Sequence, residues 1–409
     1  AGISMNVTFI VQRYGEHIAG GSEQCCRVFA EQMATAGHNV SVATSCAKNY
    51  TDWANEFPVG KETINNVQVH RFPVDRPRSG ERFSNIDTSV VWDGPPTPLA
   101  TQELWVDEMG PRTTELPLWL SEQASTTDIM IFFTYLYYPT IRGLPAVAGQ
   151  VPTLFQPTAH VEPHLTVPLF DRLFRLPDGF GFLTPEEKDM VNQRFGHRPV
   201  EEIIGVGTDL EQKGDENRFR KKHKLGEVPF LLYVGRVDPG KGSLEAFDYF
   251  VTYKERNPSP LKLVIVGDPV MDLPTHPDVL GTGFVPEQEK LDAIAACTAF
   301  LQPSYFESFS MALTEAWALQ RPALVQGRCA VLAGQAIRSG GALVYNGFAE
   351  FEVAIDILLN DPPLATRLAS NGRAYVEKNY EWGPLMQRYE RLLDKVIDAF
   401  AQRPNQFLP

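Results

Sequence analysis

No C-x-x-C pair occurs among the five cysteines, Cys25, Cys26, Cys46, Cys297 and Cys329, and their odd number and scatter exclude a disulfide framework and a paired-cysteine zinc site. That usage fits a reducing compartment. Positive charge is also scarce: 37 Lys and Arg stand against 50 Asp and Glu, a net charge of −13. Nucleic-acid binding needs a strong positive field, so that class is set aside. No run reaches the ~18 apolar residues a membrane span takes. No signal peptide precedes the first strand, so a cytoplasmic protein is expected, with peripheral contact at the inner membrane face left open. Short-period repeats and low-complexity tracts are missing too.

What is present reads as two α/β domains. A chain of 409 residues exceeds what one core usually supports. Val7–Val11 reads as a strand, Gln12–Gly21 as a polar loop ending in Gly20 and Gly21, Arg27–Ala36 as a helix closed by Gly37, and Val40–Ala43 as the next strand. That is a βαβ unit and implies a parallel sheet. The loop lacks the G-x-G-x-x-G fingerprint, yet paired glycines let a backbone approach a phosphate closely. Further strands are expected at Asn66–Phe72, Asp128–Phe133, Pro152–Gln156 and Phe180–Thr184, with a helix at Leu116–Ala124. Pro73–Pro98 reads as a long irregular segment. Tyr135, Tyr137 and Tyr138 follow a buried strand and either stack on a sugar or belong to the core. His160 falls just past a strand's C-terminal end, where open α/β sheets bind ligands. The Gly-rich turn at Gly205–Gly207 marks a boundary. It separates an N-terminal domain, 1–206, from a C-terminal domain, 207–381, and a helix within 382–409 ends the chain.

The second half repeats the pattern. Pro229–Gly235 is a buried strand that delivers Arg236 and Lys241, five residues apart, around a glycine turn before a helix from Leu244 capped by Ser243. Two fixed cations beside unpaired amides suit a diphosphate; a salt bridge to Asp238 is the alternative. The basic cluster Arg218–Lys224 reads as the solvated face of a short helix or as a patch for anionic lipid. In Pro303–Pro322, Glu307 and Glu315 lie eight positions apart across a loop-to-helix junction, with Ser308 and Ser310 as candidate caps. Amides at such a helix start attract phosphate or sugar oxygens. Carboxylates accept paired hydroxyls of a sugar or ribose.

Four stretches carry a resemblance: GGSE at Gly20–Glu23, PTAH at Pro157–His160, GRVDPGKG at Gly235–Gly242, and the Glu307–Glu315 element. Together they resemble the retaining glycosyltransferases of family GT4. The resemblance implies the GT-B fold: two Rossmann-like, doubly wound parallel-sheet domains facing across a cleft, with the last helix crossing back to the N-terminal domain. It implies a nucleotide-diphosphate sugar as donor, UDP slightly preferred, and a hydroxyl acceptor: a sugar, a lipid-linked sugar or a small molecule. Gly21, with Gly20 beside it, would lend its amide to the donor diphosphate, and Arg236 and Lys241 would bind its charge. Glu307 would hold donor-sugar hydroxyls, the amides of Phe309, Ser310 and Met311 would contact sugar and phosphate, and Glu315 would hold the ribose. His160 would contact the donor sugar. No cofactor and no metal is expected, and no general base is assigned. Ser308 and Ser310 stand where the family usually has glycine, as does Gln320 at the helix end. Other readings are a sugar-nucleotide epimerase and a non-catalytic nucleotide-sugar binding module.

Overall fold

The computed structural model describes residues 2–238, 242–269 and 271–403. The chain divides into two units, one of residues up to Ile204 with those from Met386 on, the other Gly205–Leu385.

The first unit is built on eight strands: β1 (Asn6–Ile10), β2 (Asn39–Ser45), β3 (Gly60–Ile64), β4 (Val67–Phe72), β5 (Ile129–Phe133), β6 (Thr153–Gln156), β7 (Gly179–Phe182) and β8 (Val200–Ile203). Their spatial order is β3-β4-β2-β1-β5-β6-β7-β8. All neighbours run parallel except β3 and β4. A parallel sheet is covered on both faces, so its inner strands are apolar throughout. β5, IMIFF, is buried at every position. β3, GKETI, is an exposed polar edge and carries none of that signal, which is why the sequence pattern does not reveal it.

The second unit has β9 (Phe230–Val234), β10 (Lys262–Val266), β11 (Val279–Gly283), β12 (Ala299–Gln302), β13 (Ala323–Gln326) and β14 (Ala342–Tyr345), all parallel in the order β11-β10-β9-β12-β13-β14. In each sheet the chain winds outward first one way and then the other. The reversals lie between β1 and β5 and between β9 and β12. Loops leaving the C-terminal ends of those strands flank the crevice where such sheets take ligands.

The last helix, Trp382–Ala401, buries Tyr389, Leu392, Leu393 and Val396. Tyr389 Oη donates to Gln156 Oε1 at 2.5 Å, and its ring lies 4.5 Å from that of Phe29. A Cβ on Gly179 would stand 2.8 Å from Val396, so β7 needs glycine where this helix packs. From Met386 on, the helix is therefore part of the first unit.

Two expectations are corrected and a third is met. The first helix begins at Gly21, not Arg27, so the paired glycines straddle its start. Pro73–Pro98 is not irregular throughout: Ser79 caps a helix at Gly80–Asp87, which runs into a π-helical turn at Thr88–Trp92. The basic cluster forms the short helix Glu216–Lys222 with most of its charged side chains exposed, as the solvated-face reading expects. Arg218 pairs with Asp292, Lys222 with Glu289, and Arg220 donates to the carbonyls of Gly226, Val228 and Ala296.

Candidate active site

In the second unit, Arg236 follows β9 and Glu307 follows β12, the two strands at the reversal. The Arg236 loop is held by its backbone. Gly235 N donates to Val266 O at 2.9 Å, Tyr233 Oη to Arg236 O at 2.6 Å, and Ser243 Oγ to Asp238 O at 3.2 Å. Ser243 thus ties the loop and is the first helical residue, not the cap; Gly242 holds the cap position. Gly242 has φ 71°, and a Cβ there would stand 2.4 Å from Pro303 O and 2.7 Å from the Tyr305 ring. Only glycine lets the two loops meet this closely. Tyr305 in turn donates to the Glu245 carboxylate at 2.7 Å, fastening the second loop to the helix behind the first. Lys241, with Pro239 and Gly240, lies outside the described residues.

Glu307 and Ser308 are half-buried, and Ser310 and Phe309 are buried. Burial pushes the Tyr233 phenol up, and the charges of Glu307 and Asp238 push it further. The Glu307 amide also faces the Cys329 thiol. The helix Met311–Ala318 starts where the sequence suggests, but Ser310 does not cap it. Its φ is 73°, and its hydroxyl accepts from Gln302 Nε2 at 2.8 Å instead. The first amides of the helix carry no side-chain cap. Phe309 turns its ring onto Tyr380, 5.0 Å between centroids, which fixes the backbone of the turn.

Glu315 sits within this helix and pairs with Lys290 at 3.0 Å. Burial pushes the Lys290 ammonium down, but Glu315 and Glu287 outweigh it and hold it protonated above its ordinary range. Lys290 was not singled out by sequence, since it becomes a partner of Glu315 through the fold alone. Gln320, where a glycine was usual, has φ 53°, a left-handed backbone that a side-chain-bearing residue adopts at a cost.

In the first unit, Gly20 and Gly21 behave differently. A Cβ on Gly20 would stand 2.3 Å from Glu23 Oε2 and 2.9 Å from Arg13 Nη2. Those two side chains form a buried ion pair at 2.9 Å, and Arg13 also donates to Lys48 O. A Cβ on Gly21 would meet nothing within 4 Å, so the first turn of the helix opens onto free space.

His160 is half-buried at the end of PTAH, after β6. Its Nε2 lies 3.4 Å from Glu162 Oε2. Glu162 also accepts from Tyr135 Oη. Burial alone would raise the Glu162 carboxyl; His160, Tyr135 and His164 together carry it below the usual range. Of the three tyrosines, Tyr135 thus reaches the His160 cluster, whereas Tyr138 opens a helix and is buried. The loop before His160 is pinned from below: Glu187, 1% exposed, accepts the amides of Ala159 at 2.5 Å and Leu183 at 2.8 Å. The T-P-E-E stretch Thr184–Glu187 is a capping-box pattern that could have revealed Glu187; Glu162 had no such signal. Thr134 and Thr158, each just past a strand end, and Ser310, at the start of the helix Met311–Ala318, have φ of 72°, 47° and 73°. Strain of this kind gathers at functional sites.

Residues 215–375 match the family model described as glycosyl transferases group 1. A trehalose synthase of Rubrobacter xylanophilus is 27% identical over 188 residues, 42% of this chain and 44% of that protein. A teichuronic acid biosynthesis glycosyltransferase, putatively so named, of Bacillus subtilis is 30% identical over 125 residues, 30% of this chain and 31% of its own length. The chain spans about half or less of the length of these curated relatives. Among solved structures, sucrose-phosphate synthase from Thermosynechococcus elongatus superposes with TM-score 0.68 at 18% identity, covering 96% of this chain and 99% of that one. Anabaena HepE in complex with UDP-glucose gives 0.69 at 14%, covering 96% and 100%. At these identities the likeness shows the fold, which is GT-B.

Proposed function

Residues 215–375 are a glycosyl transferases group 1 domain in a chain of GT-B fold, and from that premise we propose a retaining glycosyltransferase that moves a sugar from a UDP-sugar to a hydroxyl acceptor. One observation carries the reading. Arg236 and Glu307 leave adjacent strands at the sheet's reversal, on loops fastened by Gly242 and Tyr305, beside an uncapped helix start. A guanidinium and helix amides suit a diphosphate, and a carboxylate suits sugar hydroxyls. The preference for UDP draws on HepE, whose structure was solved with UDP-glucose.

In this reading Arg236 and, by its place in the sequence, Lys241 take up the charge that the diphosphate gains as its bond to the sugar breaks. Glu307 holds the sugar's hydroxyls and Glu315 the ribose. Gly21, with Gly20 beside it, offers its amide and open space to the donor, Ser308, Phe309, Ser310 and Met311 line the sugar and phosphate, and His160 contacts the sugar. The acceptor oxygen attacks the face the diphosphate leaves, and its proton passes to the departing phosphate oxygen. Configuration is thereby retained with no enzyme nucleophile, and the chain's own cations serve without a metal or other cofactor. No helix among the described residues is long and apolar enough to cross a membrane.

The test is a thermal shift with UDP, GDP and ADP, followed by glucose release from UDP-glucose. Ligand at 100 times its dissociation constant stabilises by roughly 2.7 kcal/mol. Stabilisation by UDP, with turnover of UDP-glucose, is the expected result. No shift with any of the three rejects the reading.

A further inference from the structure

The segment Gly80–Trp92, which the sequence left as irregular, ends on Trp92, an indole 59% exposed. An exposed tryptophan is ordinarily free to turn. This one stands edge-on to the His164 ring. Asp87 accepts from Trp105 Nε1 at 2.9 Å and faces His164 Nε2 at 3.4 Å, which holds that ring in place. The His164 ring stands between the two indoles, 6.3 Å from Trp92 and 6.2 Å from Trp105 by centroids. Its other nitrogen, Nδ1, is buried without a hydrogen-bond partner and points toward Glu162 Oε2 at 3.7 Å. Glu162 continues the row to His160. An oriented aromatic surface thus borders an unbroken line of ionised and imidazole groups.

That combination selects a ligand with one apolar face and several hydroxyls, which describes a pyranose. A lipid surface would not call for the carboxylates of Asp87 and Glu162 beside the indole, and anionic headgroups would be repelled by them. We propose that Trp92, His164 and Glu162 form a carbohydrate subsite, the indole stacking on the ring and Glu162 accepting its hydroxyls, so that the acceptor is itself a sugar. This rests on the transferase reading and names the class of its acceptor.

The test titrates the full chain with methyl α-D-glucopyranoside, followed by saturation-transfer NMR in the presence of UDP. The expected result is binding that weakens roughly tenfold in Trp92→Ala and is largely restored in Trp92→Phe, which keeps an aromatic face. Glu162→Gln weakens binding while the ring protons still receive saturation. Equal affinity in wild type and Trp92→Ala overturns the proposal. So does retention of the wild type on phosphatidylglycerol vesicles that Trp92→Ala loses with glucoside binding unchanged, because the indole is then a membrane anchor. UDP calorimetry on the wild type separates the two readings. No UDP binding sinks the donor reading, whereas UDP binding without glucoside binding sinks the subsite alone.

Discussion

Glu187 Oε2 accepts the amide of Ala159 at 2.5 Å, which fixes from beneath the residue that precedes His160. The carboxyl is buried, and burial pushes it up to about 8 against the help of the Leu183 and Ala159 amides. The fold therefore keeps a proton that the unfolded chain releases near 4.5. Between those two values the native state binds more protons than the unfolded state, so stability falls as pH rises through that window and levels off above it. Melting temperature measured from pH 5 to 9 should show that slope in the wild type and a flatter one in Glu187→Gln. Parallel curves would remove Glu187 from the account.

Gly21 and Gly20 make a matched pair of tests. Alanine at 21 meets open space in the first turn of a helix, so the fold should be unharmed or slightly more stable, within about 1 kcal/mol. Alanine at 20 collides with Glu23 and Arg13 and should cost on the order of 2 kcal/mol by breaking their buried pair. If the space at Gly21 belongs to the donor, Gly21→Ala loses turnover of UDP-glucose while its denaturation midpoint holds. Unchanged turnover would free that space for another use.

How far the sequence could be read follows from where each signal is stored. Central strands such as β5 and β9 are continuous apolar runs, visible because both their faces are buried. The helix Gly80–Asp87 has no buried residue, so it left no stripe to find. The loop positions of Arg236 and Glu307 were legible because a buried apolar strand, β9 or β12, precedes each. Lys290, Glu162 and Glu187 were not, since what they do depends on partners brought close by the sheet. Ser310 misled for another reason: a good capping residue was spent on Gln302, in a backbone that glycine favours.

Arg236→Ala should weaken UDP binding by roughly tenfold to a hundredfold, the worth of one charge-assisted contact to phosphate, about 1.5–3 kcal/mol. Arg236→Lys should recover part of it, since the charge returns without the fork. Calorimetry with UDP and with uridine distinguishes the source of the loss. A defect equally large for uridine would mean that the arginine does not act on the diphosphate.

The Glu315–Lys290 pair makes the last prediction, because it ties protonation to donor affinity. Glu315 is half-buried, and its desolvation favours the neutral form, which the ammonium of Lys290 opposes. In Lys290→Met the opposing charge is gone, and burial raises the carboxyl without restraint. A protonated carboxyl has lost part of its capacity to accept the two ribose hydroxyls. UDP affinity of the variant should therefore begin to fall, as pH is lowered, at a higher pH than in the wild type, and recover as pH is raised. The same titration with the ribose replaced by its 2′-deoxy form should show a smaller slope in the variant, since one of the hydroxyls that Glu315 would hold is already missing. A pH-independent loss would instead mean that Lys290 serves packing, and Glu315 would no longer be the group that grips the ribose.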